Sequence, residues 1–261
     1  MTFKPAALIA MTLLGFSALQ PSAIAAPVHL SPAETTRVGR MIWQNECAGT
    51  VEGLVSWNQG EGFPSLGIGH FIWYPKGKRG PFDESFPRLA ALLRERGVAM
   101  PAWTHGPAPW QTKAEMVRDG ARVNALRKLL ATPKALSVQT EFLIGRLNAA
   151  LPKLLAAAPA GERRAIQHRF ETLTRSAAGS FALIDYVNFK GEGILATERY
   201  RGEGWGLLQV LSGMKDGGDP VKTFSDSAKR VLTRRVKNAP PERKENRWLP
   251  GWLNRVGRYA G

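Results

Sequence analysis

Residues 46–70 read ECAGTVEGLVSWNQGEGFPSLGIGH, and three features in them decide the fold: Glu46 closing a helix, the turn cluster Asn58-Gln59-Gly60-Glu61-Gly62, and the run Ser65-Leu66-Gly67-Ile68-Gly69-His70. Apolar, aromatic-rich runs flank the turn cluster, a pattern that predicts a β-hairpin across residues 53–73. Strand alternation places Ser65, Gly67 and Gly69 on one face, a hydroxyl followed by two bare backbone positions. Leu66, Ile68 and His70 fall on the other face, where His70 is expected to support the hairpin rather than react.

Upstream of the hairpin, Ser31-Pro32-Ala33-Glu34 combines a serine N-cap, a first-turn proline and a glutamate three positions on. That signature, followed by Val38, Met41 and Ile42 at helical spacing, predicts an amphipathic helix over residues 32–46 that ends at Gly49. Downstream, proline and glycine density predicts loops over 75–87 and 101–110. Thr112-Lys113-Ala114-Glu115 is a second capping box, opening a helix that runs to about Ala131. Residues 137–158, 162–177, 181–190, 207–214 and 225–236 also read as helical, and the tail from Pro240 is rich in Pro, Arg and Trp. No internal repeat is evident. The sum is an α+β fold, mostly helical with one small β-hairpin or sheet.

Export is expected from the first 25 residues. Lys4, the apolar stretch Ala6 to Leu19 and the small-x-small site Ala23-Ile24-Ala25 together read as a cleavable secretory signal. At 14 residues the apolar stretch is too short to span a bilayer, which needs about 20. No later window is apolar enough to do so, and a periplasmic or secreted location follows. The remaining residues, 26–261, are expected to form a single domain, and 44% apolar content supplies a core.

Loss of Lys4 lowers the formal charge only from +15 to about +14, and an exported basic chain meets anionic wall polymers, lipid headgroups or extracellular nucleic acid. Dispersal of the basic residues argues against nucleic acid. Cys47 is the only cysteine, so the fold holds without an internal disulfide. One cysteine and four scattered histidines reach no metal-ligand spacing, and neither metal nor cofactor is expected.

Glu46 carries the candidate chemistry. It lies at the edge of the apolar stripe of its helix and at the negative end of the helix dipole, and both effects are expected to raise its pKa. A raised pKa suits a general acid that holds its proton near neutrality. The bare backbone at Gly67 and Gly69 offers close approach to a flat pyranose ring. Trp57, Trp73 and Trp205 are candidates for stacking on sugars, although most tryptophans are simply core.

A helix-terminal Glu followed by a glycine-rich hairpin ending in Ser65-x-Gly67-x-Gly69-His70 resembles the phage T4-type lysozymes and related endolysins, which cut the glycan of peptidoglycan. Ala182-Leu183-Ile184-Asp185-Tyr186-Val187-Asn188-Phe189-Lys190-Gly191 is similar to their core-helix segment, and Val231-Leu232-Thr233-Arg234-Arg235 to their late double-arginine helix. The resemblance covers about 40 residues, and residues 75–177 look like a long helical insertion. It implies a lysozyme-like fold, Glu46 as general acid and Ser65 as the hydroxyl that positions the attacking water. Trp57, Gly67, Gly69, Asn188 and Gln209 are the candidate substrate contacts, a peptidoglycan-like β-1,4-linked amino-sugar polymer is the expected partner, and a monomer is expected.

The hairpin acid is where the chain departs from that pattern. Gln59 occupies the expected position, six before Ser65, and Glu61 is the only acid in the turn. A second resemblance competes: Gly204-Trp205-Gly206-Leu207-Leu208-Gln209, with Glu192 17 residues before Gln209, looks like the stretch after the single catalytic Glu of soluble lytic transglycosylases. A third reading is a wall-binding, lysozyme-like protein that does not cut.

Overall fold

The computed structural model describes residues 27–261, so the expected export signal over residues 1–25 lies outside the described residues. The fold is mostly helical α+β. Among the described residues it comprises ten α-helices, one three-stranded antiparallel sheet and one two-stranded ribbon.

Helix α1 (Pro32–Cys47) starts where its cap directs. Ser31 Oγ accepts from Glu34 N at 3.3 Å, while a Glu34 carboxylate oxygen accepts from Ser31 N at 2.9 Å, which satisfies two of the orphan donors of the first turn. The helix ends at Ala48, in the left-handed region at φ 51°. Three short strands follow: β1 (Val55–Ser56), β2 (Ser65–Leu66) and β3 (Phe71–Ile72). In register, Val55 faces Leu66 and Ser65 faces Ile72.

The alternation expected to run through His70 stops at Leu66. Gly67 takes φ +67° and His70 φ +48°, and His70 N donates to Gly67 O at 3.2 Å, closing a tight turn. Period-2 reasoning therefore does not assign the face of His70, whose ring turns toward α1. A buried glutamine on α5 (Pro133–Ala157) fixes that turn: Gln139 Oε1 accepts from Ile68 N at 2.9 Å, and its amide nitrogen donates to Leu130 O and Ala135 O. A Cβ on Gly67 would stand 2.3 Å from Gln139 Oε1, so only glycine fits this left-handed position.

The rest of the chain builds the helical scaffold. Helix α2 (Phe86–Glu95), which the sequence reading did not single out, follows the first proline-rich loop. Trp73, Phe86, Trp103 and Trp110 pack ring to ring there, with Trp73 and Phe86 centroids 4.7 Å apart, and hold the two loops. The single helix expected over 112–131 is two, α3 (Lys113–Arg118) and α4 (Gly120–Leu130). Asp119 divides them: its carboxylate accepts from Arg122 N at 3.3 Å and from Trp110 Nε1 at 3.0 Å, trading helix continuation for a cap.

Helix α5 packs along α1, α2, α6 (Arg163–Thr174) and α7 (Ala177–Lys190). A Cβ on Gly39 would lie 2.3 Å from Thr140 Oγ1, which shows how closely α1 and α5 approach. The ribbon β4 (Arg199–Tyr200) and β5 (Glu203–Gly204) precedes α8 (Leu207–Ser212), α9 (Pro220–Asn238) and α10 (Leu249–Gly257). One connected apolar core runs from Val28 to Tyr259 and includes buried residues of 75–177.

Candidate functional site

Four elements converge on Glu46. Helix α1 presents it at its C-terminal turn. The hairpin turn brings His70 Nδ1 to 3.3 Å from one carboxylate oxygen. Helix α7 brings Asn188, whose amide donates to the other oxygen at 3.2 Å. Helix α10 brings Arg255, whose guanidinium donates to that same oxygen. Behind Arg255 stands fully buried Asp185 of α7, which accepts from Arg255 Nε at 2.9 Å, from Tyr259 Oη at 2.5 Å and from Asn45 at 3.2 Å. The Glu46 side chain is largely buried, with 11% of its surface exposed.

The electrostatics reverse the sequence expectation. Burial pushes the Glu46 carboxyl up, but the His70 hydrogen bond and the charges of Arg255 and His70 outweigh it and hold Glu46 down to about 2. The expected raised pKa is thus corrected: burial was readable from the sequence, the approaching guanidinium was not. For His70, burial pulls down while Cys47 and Glu46 pull up, and the result is a ring raised to about 10. At neutral pH the proton of this pair rests on His70, with Nε2 directed at Cys47 Sγ, 3.8 Å away. The pair titrates as a unit.

Glu61 lies in the turn, its carboxylate accepting from Asn58 at 3.2 Å and its backbone oxygen accepting from Trp57 Nε1 at 2.7 Å. Its carboxylate is not among the partners of Glu46. Ser65 sits on the central strand only 4% exposed, opposite Ser56, whose own hydroxyl is buried without a hydrogen-bond partner among the described residues.

Gly67 and Gly69 are buried against Gln139, Phe71 and Leu143, so no pyranose ring reaches their backbone. Trp57, Trp73 and Trp205 are likewise core, leaving no open ring face for a sugar. Gln209 staples its own loop: its amide oxygen accepts from Gly206 N and its nitrogen donates to Gly193 O. Asn188 is the one expected substrate contact that the fold brings to Glu46. Glu192 pairs with Lys153 of α5 at 2.9 Å. Lys153 is two turns beyond Arg146, which donates to Asn188, so Glu192 stands roughly 10 Å further along that helix.

Sequence reasoning missed Arg255, Asp185, Tyr259 and Gln139. Asp185 alone gave a signal, as an acid inside the otherwise apolar segment 181–187. Lys190 also went unremarked. It lies against Trp252 and Phe189, at 3.4 and 3.8 Å from their centroids, and burial with repulsion from Arg235 lowers its amine to about 6.

Among the described residues no group of three or more His, Cys, Asp or Glu is placed to hold a metal ion, and no helix is long and apolar enough to cross a membrane. The chain is thus a mostly helical α+β protein containing a largely buried Glu–His–Arg–Asp cluster. Compared with protein-family models, curated proteins and solved structures, it matches none.

Proposed function

We propose that this protein is an exported glycosidase of the T4-lysozyme kind, acting on the glycan of peptidoglycan with Glu46 as the group that protonates the leaving oxygen. The observation that carries this reading is the Glu46 carboxylate, on a side chain that keeps 11% of its surface exposed, in contact with a proton-bearing histidine. Protonation of the glycosidic oxygen requires a proton to cross from His70 Nδ1 to Glu46 over the 3.3 Å contact. A glycan strand lying over the carboxylate expels water, and a drier site favours the neutral acid–imidazole pair over the ion pair. The proton then passes to the leaving oxygen as the C1–O bond breaks; a water or sugar hydroxyl forms the new C1–O bond and returns its proton to Glu46, which restores the Glu46–His70 pair. Net positive charge draws the chain to the anionic wall.

The Glu46–Arg255 contact favours a second reading, a wall-binding protein whose carboxylate stays ionised and cuts nothing. Incubating the mature chain with purified peptidoglycan, followed by mass analysis of the soluble fragments, separates the two. Cleavage by the wild type, its loss in Glu46→Gln at matched Tm and most activity kept in Glu192→Gln support the glycosidase. A dead Glu192→Gln beside an active Glu46→Gln moves the acid to Glu192 and to transglycosylase chemistry. Binding without fragments leaves the second reading.

A further inference from the structure

Seven of the eight tryptophans are buried or half-buried; Trp248, at 41% exposure, is the exception. It stands at the N-terminal end of α10, the helix that delivers Arg255 to Glu46. Its ring centroid is 6.1 Å from that of Trp252, with the planes tilted by 31°. Trp252 meets Phe189 edge-on at 6.3 Å. Phe189 in turn lies 4.2 Å beneath the guanidinium carbon of Arg255, next in sequence to Asn188. A ladder of three rings therefore leads from the partners of Glu46 out to solvent.

Aromatic side chains offer large, rigid apolar faces to recognition surfaces, and Trp248 is continuous through Trp252 and Phe189 with the cluster around Glu46. Seven residues separate Trp248 from Arg255, two helical turns or about 10 Å along the axis, which is longer than one pyranose ring. Cations lie on the platform: Lys190 and Arg235 cover Trp252 at 3.4 and 5.0 Å, which leaves it a backing ring, while the exposed Arg247 rests on Trp248 at 4.4 Å and has to swing aside for a sugar ring to stack there. The exposed edge and face of Trp248, with a displaceable guanidinium beside it, suit a sugar ring of a strand that carries carboxylates.

Resting on the glycosidase reading above, we propose that Trp248, backed by Trp252, forms a distal subsite that stacks a sugar ring of the bound amino-sugar strand, beyond the rings flanking Glu46. The subsite makes affinity depend on strand length. Short strands lying over Glu46 do not reach it; longer ones do.

Titration calorimetry of the mature chain with β-1,4-linked N-acetylglucosamine oligomers of two and of six units tests this, with Trp248→Ala and Trp248→Phe compared at matched Tm. We expect the wild type to bind the six-unit strand more tightly than the two-unit strand. Trp248→Ala should lose affinity for the long strand on the order of tenfold, leave the short strand unchanged, and be partly rescued by Trp248→Phe. Undiminished six-unit binding by Trp248→Ala overturns the subsite while leaving the glycosidase reading intact. Equal loss for both lengths also overturns it, since the ring would then act near Glu46. A wild type that binds neither oligomer nor purified peptidoglycan overturns both.

Discussion

Arg255→Met keeps much of the side-chain length while removing the guanidinium that bridges Glu46 and Asp185. Taking away one partner of a buried ion pair leaves an uncompensated charge and costs about 3–5 kcal/mol. A second route gives a similar size. The full fall of Glu46 from 4.5 to about 2 corresponds to roughly 3 kcal/mol at about 1.36 kcal/mol per unit. His70 supplies part of that, and the unpaired Asp185 adds its own loss. At about 2–4 °C per kcal/mol for a chain of this size, Tm should drop by about 6–20 °C at pH 7. The sign with pH follows from linkage. Glu46 has a folded pKa below its unfolded value, so its contribution is full above about pH 4.5 and disappears as pH falls toward 2. The wild type should therefore lose its advantage over Arg255→Met across that acid range. Differential scanning calorimetry from pH 2 to 8 measures both effects. A Tm change under about 2 °C at pH 7, or a gap that does not narrow in acid, refutes the view that Arg255 neutralises this cluster.

Two further outcomes follow from the same geometry. The His70 ring, raised to about 10, should titrate by NMR well above an ordinary histidine, and its stabilising contribution, full below about pH 6.5, should be lost as pH rises through 10; a midpoint near 6.5 would contradict the Glu46 contact. Gly67→Ala places a methyl against Gln139 in a left-handed position, so urea unfolding should show a loss of about 2 kcal/mol or more, and the His70 midpoint should move toward 6.5 as the turn loosens. An unchanged midpoint would mean that the turn does not position the ring.

Helix starts were legible wherever the cap was read. Ser31-Pro32-Ala33-Glu34 opens α1 as expected, yet Thr132-Pro133 and Asp219-Pro220 open α5 and α9 by the same cap-then-proline logic, four and five residues earlier than their apolar patterns suggested. Helix α2 was obscured because Pro87, the second residue of a real helix, reads locally as the end of a proline-rich loop. For the site, Glu46 and His70 were visible because the hairpin that joins them is local. Arg255 was not, because nothing in a 209-residue separation marks which of 36 basic residues will return to Glu46. The sign of the Glu46 shift failed for that same reason: burial and dipole are properties of one helix, whereas an ion pair belongs to two. The turn at Gly67 to His70 hid its reach too, since its glycines read as open backbone and are in fact filled by a side chain of α5.

The span between Glu46 and Arg255 also ties the cluster to the end of the chain. One guanidinium, 209 positions from Glu46, bridges Glu46 and Asp185. Without α10 the two neighbouring acids would keep only His70, Asn188 and Asn45 to quiet them, since Tyr259 leaves with the same C-terminal segment. The last turns of the chain are thus the keystone of a cluster whose other members lie far upstream, and trimming them would unbalance its charge.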